Sequence, residues 1–283
     1  MSNPGIIFKD LLDYFLLAKG KNHSQENQDL FVLYFTNYLG KKGFFAEIGA
    51  GDGVSISNTY LLEKIGWTGI LVDPVDYNNE NMKLRKCIKD NRCVYSKTGL
   101  KIPFAEVPSL PVKPGTPQTQ NFSAILKNSS HPIINQTNNT FGDGTGSAPV
   151  PFKVRDVETV SLNDLLKQYN APNKIDYISV DTEGSEFEII SNFDFNKYDV
   201  EIFTIEHNYS NFRQDLLTLL NYRGYFRMPD LGQGGFTPPY DDWFIKNNNI
   251  ILKKLLNKFI RAAVKLQTLL KDMRTYVNGM VVR

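Results

Sequence analysis

Cysteine and histidine are scarce in this chain, two and three residues out of 283. Cys87 and Cys93 alone leave no material for a disulfide framework, so we read both as free thiols of a reducing, cytoplasmic setting. No uninterrupted apolar run approaches the roughly 20 residues needed to cross a bilayer. The stretch from Met1 to Lys21 mixes acidic with apolar residues and has no small-residue cleavage site, so no leader is expected. Without secretion, triplets such as Asn128-Ser-Ser130 are a by-product of an asparagine-rich chain. Net charge is also small, at +2.

That small value hides an asymmetry. Lys246 to Arg283 holds nine Lys or Arg and one acidic residue, a net of +8, which leaves −6 for residues 1–245. An acidic body with a basic tail indicates two separate jobs. Hydrophobic content of 41% and charged content of 22% fit a globular protein, long enough for one large α/β domain with appendages.

The most informative stretch is Phe44 to Thr59. An apolar run ends in Glu47, then Gly49, Gly51 and Gly53 alternate, then polar residues follow. This predicts a strand, a tight turn and a helix start, where glycines let a ligand lie against backbone and free N–H groups suit an anionic group. A second apolar run, Gly69-Ile-Leu-Val72, ends at Asp73, where a carboxylate can grip a ribose diol. Val54 stands where a dinucleotide fingerprint wants its third glycine. Glu47 suits a cationic amino group, which favours S-adenosylmethionine over a dinucleotide. Ser57 and Asn58 stand at the expected helix start, as further cofactor contacts.

Strands are expected at 43–48, 69–72, 92–96, 175–180 and 200–205, with a hairpin at 225–228 and 243–246. Helices are expected at 5–19, 24–38 (capped by Ser24), 57–65, 78–90, 162–169 (capped by Ser161), 185–192, 212–222 and 250–277. Alternation at this spacing predicts a Rossmann-like α/β fold, mostly parallel, with helices on both faces. Residues 1–42 form N-terminal helices, 43–246 the main domain and 247–283 a basic helix. Between Pro103 and Pro151 lie eight of the fourteen prolines. We read this segment as an insertion covering the substrate, with a hairpin piece near Phe122–Lys127. The last helix has a strict three-four apolar spacing that points to docking or a homodimer, with a peripheral membrane surface as the alternative.

Four expected strand ends carry polar groups: Glu47, Asp73, Asp181 and Glu206-His207. Asp181 opens Asp-Thr-Glu-Gly-Ser-Glu. A solvated helix start accounts for Glu183 and Glu186, but Asp181 stands directly on a buried strand end.

These residues carry a resemblance. Ser24-Gln25-Glu-Asn-Gln28-Asp29, Phe45-Ala-Glu-Ile-Gly-Ala-Gly-Asp-Gly53 and Gly66-Trp-Thr-Gly-Ile-Leu-Val-Asp-Pro74 are three of its motifs. Ile175-Asp-Tyr-Ile-Ser-Val-Asp-Thr-Glu-Gly-Ser-Glu-Phe-Glu-Ile-Ile190 and Phe203-Thr-Ile-Glu-His207 complete the set. Together they resemble the FkbM-type methyltransferases over roughly residues 22–245, weakly through 100–150. The resemblance implies a class I methyltransferase fold and S-adenosylmethionine-dependent methylation of a hydroxyl oxygen, often on a sugar or a polyketide. Asp73 departs from the usual glutamate. The insertion and the basic helix lie outside the common core, so the acceptor does not carry over.

Methyl transfer needs an oxygen nucleophile held in line with the sulfonium methyl, and a base for its proton. His207 is the expected base. Asp181 is the alternative base or an orienting group, with Glu206 beside it. Asp181, Glu206 and His207 could also hold Mg²⁺ or Mn²⁺. The expected partner is a sugar, glycan or glycolipid acceptor. A polyketide or lipid acceptor and a non-catalytic scaffold remain alternatives. The acidic body and the lack of a Pro-Pro-Tyr or Pro-Pro-Trp motif at the fourth strand argue against nucleic acid.

Overall fold

A computed structural model describes residues 22–36, 42–75, 80–107, 123–126, 134–135, 140–141, 150–229 and 240–249. The expected helices at 5–19 and 250–277 lie outside the described residues, as does any dimer or membrane contact made by the latter.

The central sheet begins with β1 (Phe44–Ile48), β2 (Thr68–Val72) and β3 (Ile88–Asp90). A second sheet takes β4 (Cys93–Tyr95), β5 (Lys101–Glu106) and β6 (Ala124–Ile125). The short β7 (Ile134–Asn135), β8 (Thr140–Phe141) and β9 (Val150–Pro151) pair among themselves. β10 (Lys153–Ser161) joins the second sheet, and β11 (Lys174–Val180), β12 (Asp199–Glu206), β13 (Tyr225–Arg227) and β14 (Asp241–Lys246) complete the first. The helices are α1 (Gln28–Thr36), α2 (Tyr60–Lys64), α3 (Glu80–Leu84), α4 (Leu162–Gln168), α5 (Glu186–Ser191) and α6 (Arg213–Tyr222).

The central order is β13-β14-β12-β11-β1-β2-β3, parallel except for β14, which runs antiparallel to both neighbours. β1, β11 and β12 read as nearly continuous apolar runs because helices cover both faces. Leu165 and Leu166 of α4, Ile189 and Ile190 of α5, and Leu216 and Leu220 of α6 pack against Ile48, Val180 and Phe203 on one face. Phe31 and Phe35 of α1 and Leu62 of α2 pack against Phe45, Tyr177 and Trp243 on the other. Ser161 caps α4 as expected, its Oγ accepting from the Asp164 N–H at 3.1 Å.

Four expectations are corrected. The run 78–90 is not one helix: α3 stops at Leu84, and 88–90 becomes β3, paired with β2. The Lys86 and Cys87 N–H groups donate to the Glu63 carboxylate, at 2.8 and 3.2 Å, rather than continuing a helical ladder. The strand expected at 92–96 exists as β4, but parallel to β10 in the second sheet. β10, unforeseen because charges interrupt its alternation, pairs antiparallel with β5, so both flanks of the proline-rich segment are strands. Finally, α1 starts at Gln28 rather than Ser24. The Asp29 carboxylate accepts from the His23 N–H at 2.8 Å and from the Ser24 hydroxyl at 2.6 Å, folding 23–29 into a loop with Asn27 at φ 68°. Near Phe122–Lys127 the short strand β6 is present, paired with β5.

Candidate active site

β1, β2, β11 and β12 all finish at one edge of the sheet, the carboxyl edge where open α/β sheets place ligands. A cavity of about 230 Å³ opens there. It has two chemically different ends.

The glycine turn and the tip of β2 form the first end. Gly49 has φ +81°, and a Cβ added there would lie 1.6 Å from the Asp181 carbonyl oxygen, so only glycine lets β1 and β11 end side by side. Gly51 and Gly53 also take positive φ, at 56° and 78°. Asp73 accepts from the Gly51 N–H and the Val75 N–H, both at 2.9 Å, which ties the tip of β2 to the glycine turn. Burial pushes its pKa up to about 7 against those two donors. Val75, Cys93, Phe104 and Ile125 line an apolar slot beyond it. Three of the four come from the second sheet, so that sheet walls this side of the cavity. Cys93 is inert there, its thiol pushed up to about 12 by burial.

The helix expected to open at residue 57 starts at Tyr60, because the preceding residues serve Glu47. Asn58 N–H donates to Glu47 Oε1 at 2.7 Å, Ser57 Oγ–H donates to Oε2 at 2.9 Å, and the Thr59 hydroxyl donates there too. Arg85 Nη1 lies 3.9 Å from Glu47 and donates to Ser57 Oγ and the Gly53 carbonyl, while Nη2 donates to Thr59 Oγ1. Glu47 lines the cavity, yet its carboxylate is turned to this loop. Neither the motif nor the spacing marked Arg85, whose side chain is fully buried. Asn58 presents a different feature: its Nδ2 donates to Ser179 Oγ at 2.9 Å, while its buried Oδ1 has no partner among the described residues.

The second end is acidic. Asp181, Glu183, Glu206 and Asp241 line it, and each offers a carboxylate with a raised pKa, with desolvation as the main cause. Asp181 rises to about 7, with the Asp241 charge adding to the effect, and shares a hydrogen bond with Glu206. Oxygens of Asp181, Glu183 and Glu206 lie within 4.8 Å of one another. Glu206 Oε2 is buried without a hydrogen-bond partner among the described residues. Six acidic residues line the whole cavity, and no Lys, Arg or His is among the described residues lining it.

Glu183 and Glu186 are not solvated: they are 7% and 6% exposed. Glu186 closes the turn after β11 by accepting from the Thr182 and Gly184 N–H groups at 2.9 and 3.0 Å. Glu183, held at φ 60°, accepts from Asn208 Nδ2 at 3.1 Å. Asp241 was not foreseen either. It opens β14, and an antiparallel last strand begins at the edge where its parallel neighbours finish, which sets Asp241 opposite Glu206. Gln28 donates to Asp241 at 2.9 Å and Gln25 to Tyr240 at 3.2 Å, so the segment before α1 lies across the acidic end.

His207 does not join the carboxylates. Its ring lines a separate small cavity with Phe187, Phe212 and Leu216. Its Nδ1 accepts from the Tyr209 N–H at 3.0 Å, and its Nε2 lies 3.9 Å from Asp242. Asp242 is also paired with Arg213 and Arg227 and is held below the usual carboxylate range by them.

Among the described residues no helix is long and apolar enough to cross a membrane. No curated protein matches the chain. The family model described as the methyltransferase FkbM domain matches residues 47–227, from the acid before the glycine turn to the end of β13. That span covers well over half the chain and holds both ends of the cavity except Tyr240, Asp241 and the glutamines, and the chain belongs to the FkbM methyltransferase family.

Proposed function

We propose that the chain transfers the methyl group of S-adenosylmethionine to a hydroxyl oxygen of a sugar or glycan. The observation that carries this reading is the division of the cavity. A glycine turn, a strand-tip carboxylate and an apolar slot suit a nucleoside, while the far end offers carboxylates, amides and the hydroxyls of Thr182 and Tyr240. Carboxylates and the amides of Gln25, Gln28 and Asn208 match the vicinal hydroxyls of a saccharide, as hydrogen-bond acceptors and donors in turn. The same concentration of negative charge repels phosphate and so disfavours a nucleic-acid acceptor.

In the step itself the acceptor oxygen attacks the methyl carbon in line as the carbon–sulfur bond breaks. The sulfonium becomes the neutral sulfur of S-adenosylhomocysteine, and the hydroxyl proton passes to a carboxylate. Asp181 and Glu206 are suited to receive it, because desolvation and mutual repulsion raise their pKa values toward the working pH. We assign them, rather than His207, to the proton. The donor set Asp181, Glu183 and Glu206 fits a hard cation with oxygen ligands, Mg²⁺ or Mn²⁺. Such an ion would neutralise the three acids and make a nearby hydroxyl more acidic.

The test is release of S-adenosylhomocysteine on a panel of simple glycosides, with EDTA and then with Mg²⁺ or Mn²⁺ restored. Turnover on a glycoside that EDTA removes supports both parts of the proposal. Turnover unaffected by EDTA removes the cation, and turnover only on acceptors without hydroxyls removes the reaction class.

A further inference from the structure

We infer that Asn58 Oδ1 receives the ammonium of the cofactor's methionine end, and that Arg85 positions it there through Glu47. The inference rests on the cofactor that family membership implies.

Glu47 is the acid expected to meet that ammonium, and the structure employs it elsewhere. Both of its oxygens accept from residues 57–59 of the turn, and Arg85 stands behind it as counter-charge. What Glu47 does is hold the Asn58 backbone N–H at 2.7 Å. The Asn58 side chain is 9% exposed and lines the cavity. Its Nδ2 donates to Ser179 Oγ at 2.9 Å, itself an acceptor from Thr204 at 3.3 Å. Oδ1 is then a buried carbonyl oxygen with no donor among the described residues. Buried acceptors in native proteins are nearly always satisfied, so this one is suited to a donor that a bound ligand brings. An ammonium supplies up to three such donors.

Arg85 explains why the amide is held so firmly. It follows α3, in the connection between β2 and β3, and reaches the turn from behind. Its guanidinium donates to the Gly53 carbonyl, to Ser57 Oγ at 3.1 Å, to Thr59 Oγ1 at 2.9 Å and to Glu63 at 3.1 Å. Within this span Ile56, a β-branched residue that lines the cavity, sits at φ 56°. Such a conformation persists only where its surroundings over-determine it. Asp52 fixes the near side by accepting from the Val54 and Ser55 N–H groups at 2.9 and 2.7 Å, and Arg85 fixes the far side. Arg85 is a positioning residue and Asn58 a binding residue.

Two probes separate this from a general loss of structure: S-adenosylhomocysteine and 5′-methylthioadenosine, which lacks the amino-acid end. By calorimetry, Asn58→Ala should weaken S-adenosylhomocysteine by about tenfold or more, the equal of one hydrogen bond to a charged group, and leave methylthioadenosine unchanged. Asn58→Leu, closer in volume, serves if the alanine variant does not fold. Asn58→Asp keeps an acceptor and should retain S-adenosylhomocysteine binding. Arg85→Met should weaken S-adenosylhomocysteine more than methylthioadenosine. Equal losses for both compounds, or no loss for either, overturn the inference while leaving the family's cofactor in place. Wild-type protein that binds neither compound overturns the cofactor reading, and the inference with it.

Discussion

Replacing Gly49 with alanine should damage the site more than any other single methyl group added to the glycine turn. The new Cβ would stand 1.6 Å from the Asp181 carbonyl oxygen and 2.7 Å from its carbon, where ordinary contact begins at 3.4 Å. The neighbour is backbone, so no side chain can rotate away. The ends of β1 and β11 must part by about 1.8 Å, which breaks the Asp181 N–H to Ile48 carbonyl bond at 2.9 Å. Overpacking of this kind costs about 1–3 kcal/mol, the positive φ at an L residue about 1–2, and the lost bond about 1. Together that is about 3–6 kcal/mol, a fall in melting temperature on the order of 10 °C. Gly66→Ala is the internal control: its φ is also positive, at +102°, but nothing lies within 4 Å of the added methyl. Only the backbone cost of about 1–2 kcal/mol applies there. Thermal melts of the two variants decide the matter. A Gly49→Ala protein that melts no lower than Gly66→Ala refutes the reasoning.

Three further outcomes are expected. Asp73→Ala should weaken S-adenosylmethionine binding about tenfold or more by calorimetry, since it removes the strand-tip acceptor and loosens the Gly51 turn. Folded-state pKa values for Asp73 and Asp181 are raised from 3.8 to about 7, so the stability they contribute is present at acid pH and lost as pH rises through about 7. The protein without added metal should therefore melt lower at pH 8 than at pH 5, Mg²⁺ should raise the melt more at pH 8, and Asp181→Asn should flatten the profile. A melt independent of pH and Mg²⁺ contradicts the crowding of charge we describe. Asp242→Ala removes the shared partner of Arg213 and Arg227, and should destabilise by about 2–3 kcal/mol in urea titration, the worth of a hydrogen bond to a charged group. A loss under about 1 kcal/mol would show that the two guanidinium groups find water instead.

The parallel core was legible because its strands are apolar runs between turn signals, and β1, β2, β11 and β12 appear within two residues of their expected bounds. The glycine turn was legible for a related reason: Gly49, Gly51 and Gly53 all take positive φ, and Asp73 stands at the end of an apolar strand and accepts from Gly51. The acidic end was less so. Asp181 and Glu206 follow from strand ends, but Asp241 follows from the direction of β14, a fact of pairing rather than of local pattern. His207 misled because a histidine beside a strand-end acid has the right chemistry. Strand geometry turns successive side chains to opposite sides, so Glu206 reaches the carboxylate cluster and His207 does not. Glu47 lines the cavity as a strand-end acid should, while its oxygens accept from residues 57–59. Arg85 carries no motif, and only burial among five partners marks it. β3 was lost inside an expected helix because three residues are too few to set a period.

The central claim is that one cavity holds the cofactor at its glycine end and performs proton transfer at its acidic end. The direct measurement is S-adenosylhomocysteine release by Glu206→Gln at saturating S-adenosylmethionine, on the glycoside that the wild-type protein methylates, with cofactor affinity measured on the same sample. The account predicts turnover reduced by about a hundredfold or more with cofactor binding unchanged. Turnover at the wild-type rate, or a loss fully explained by weaker cofactor binding, would contradict it.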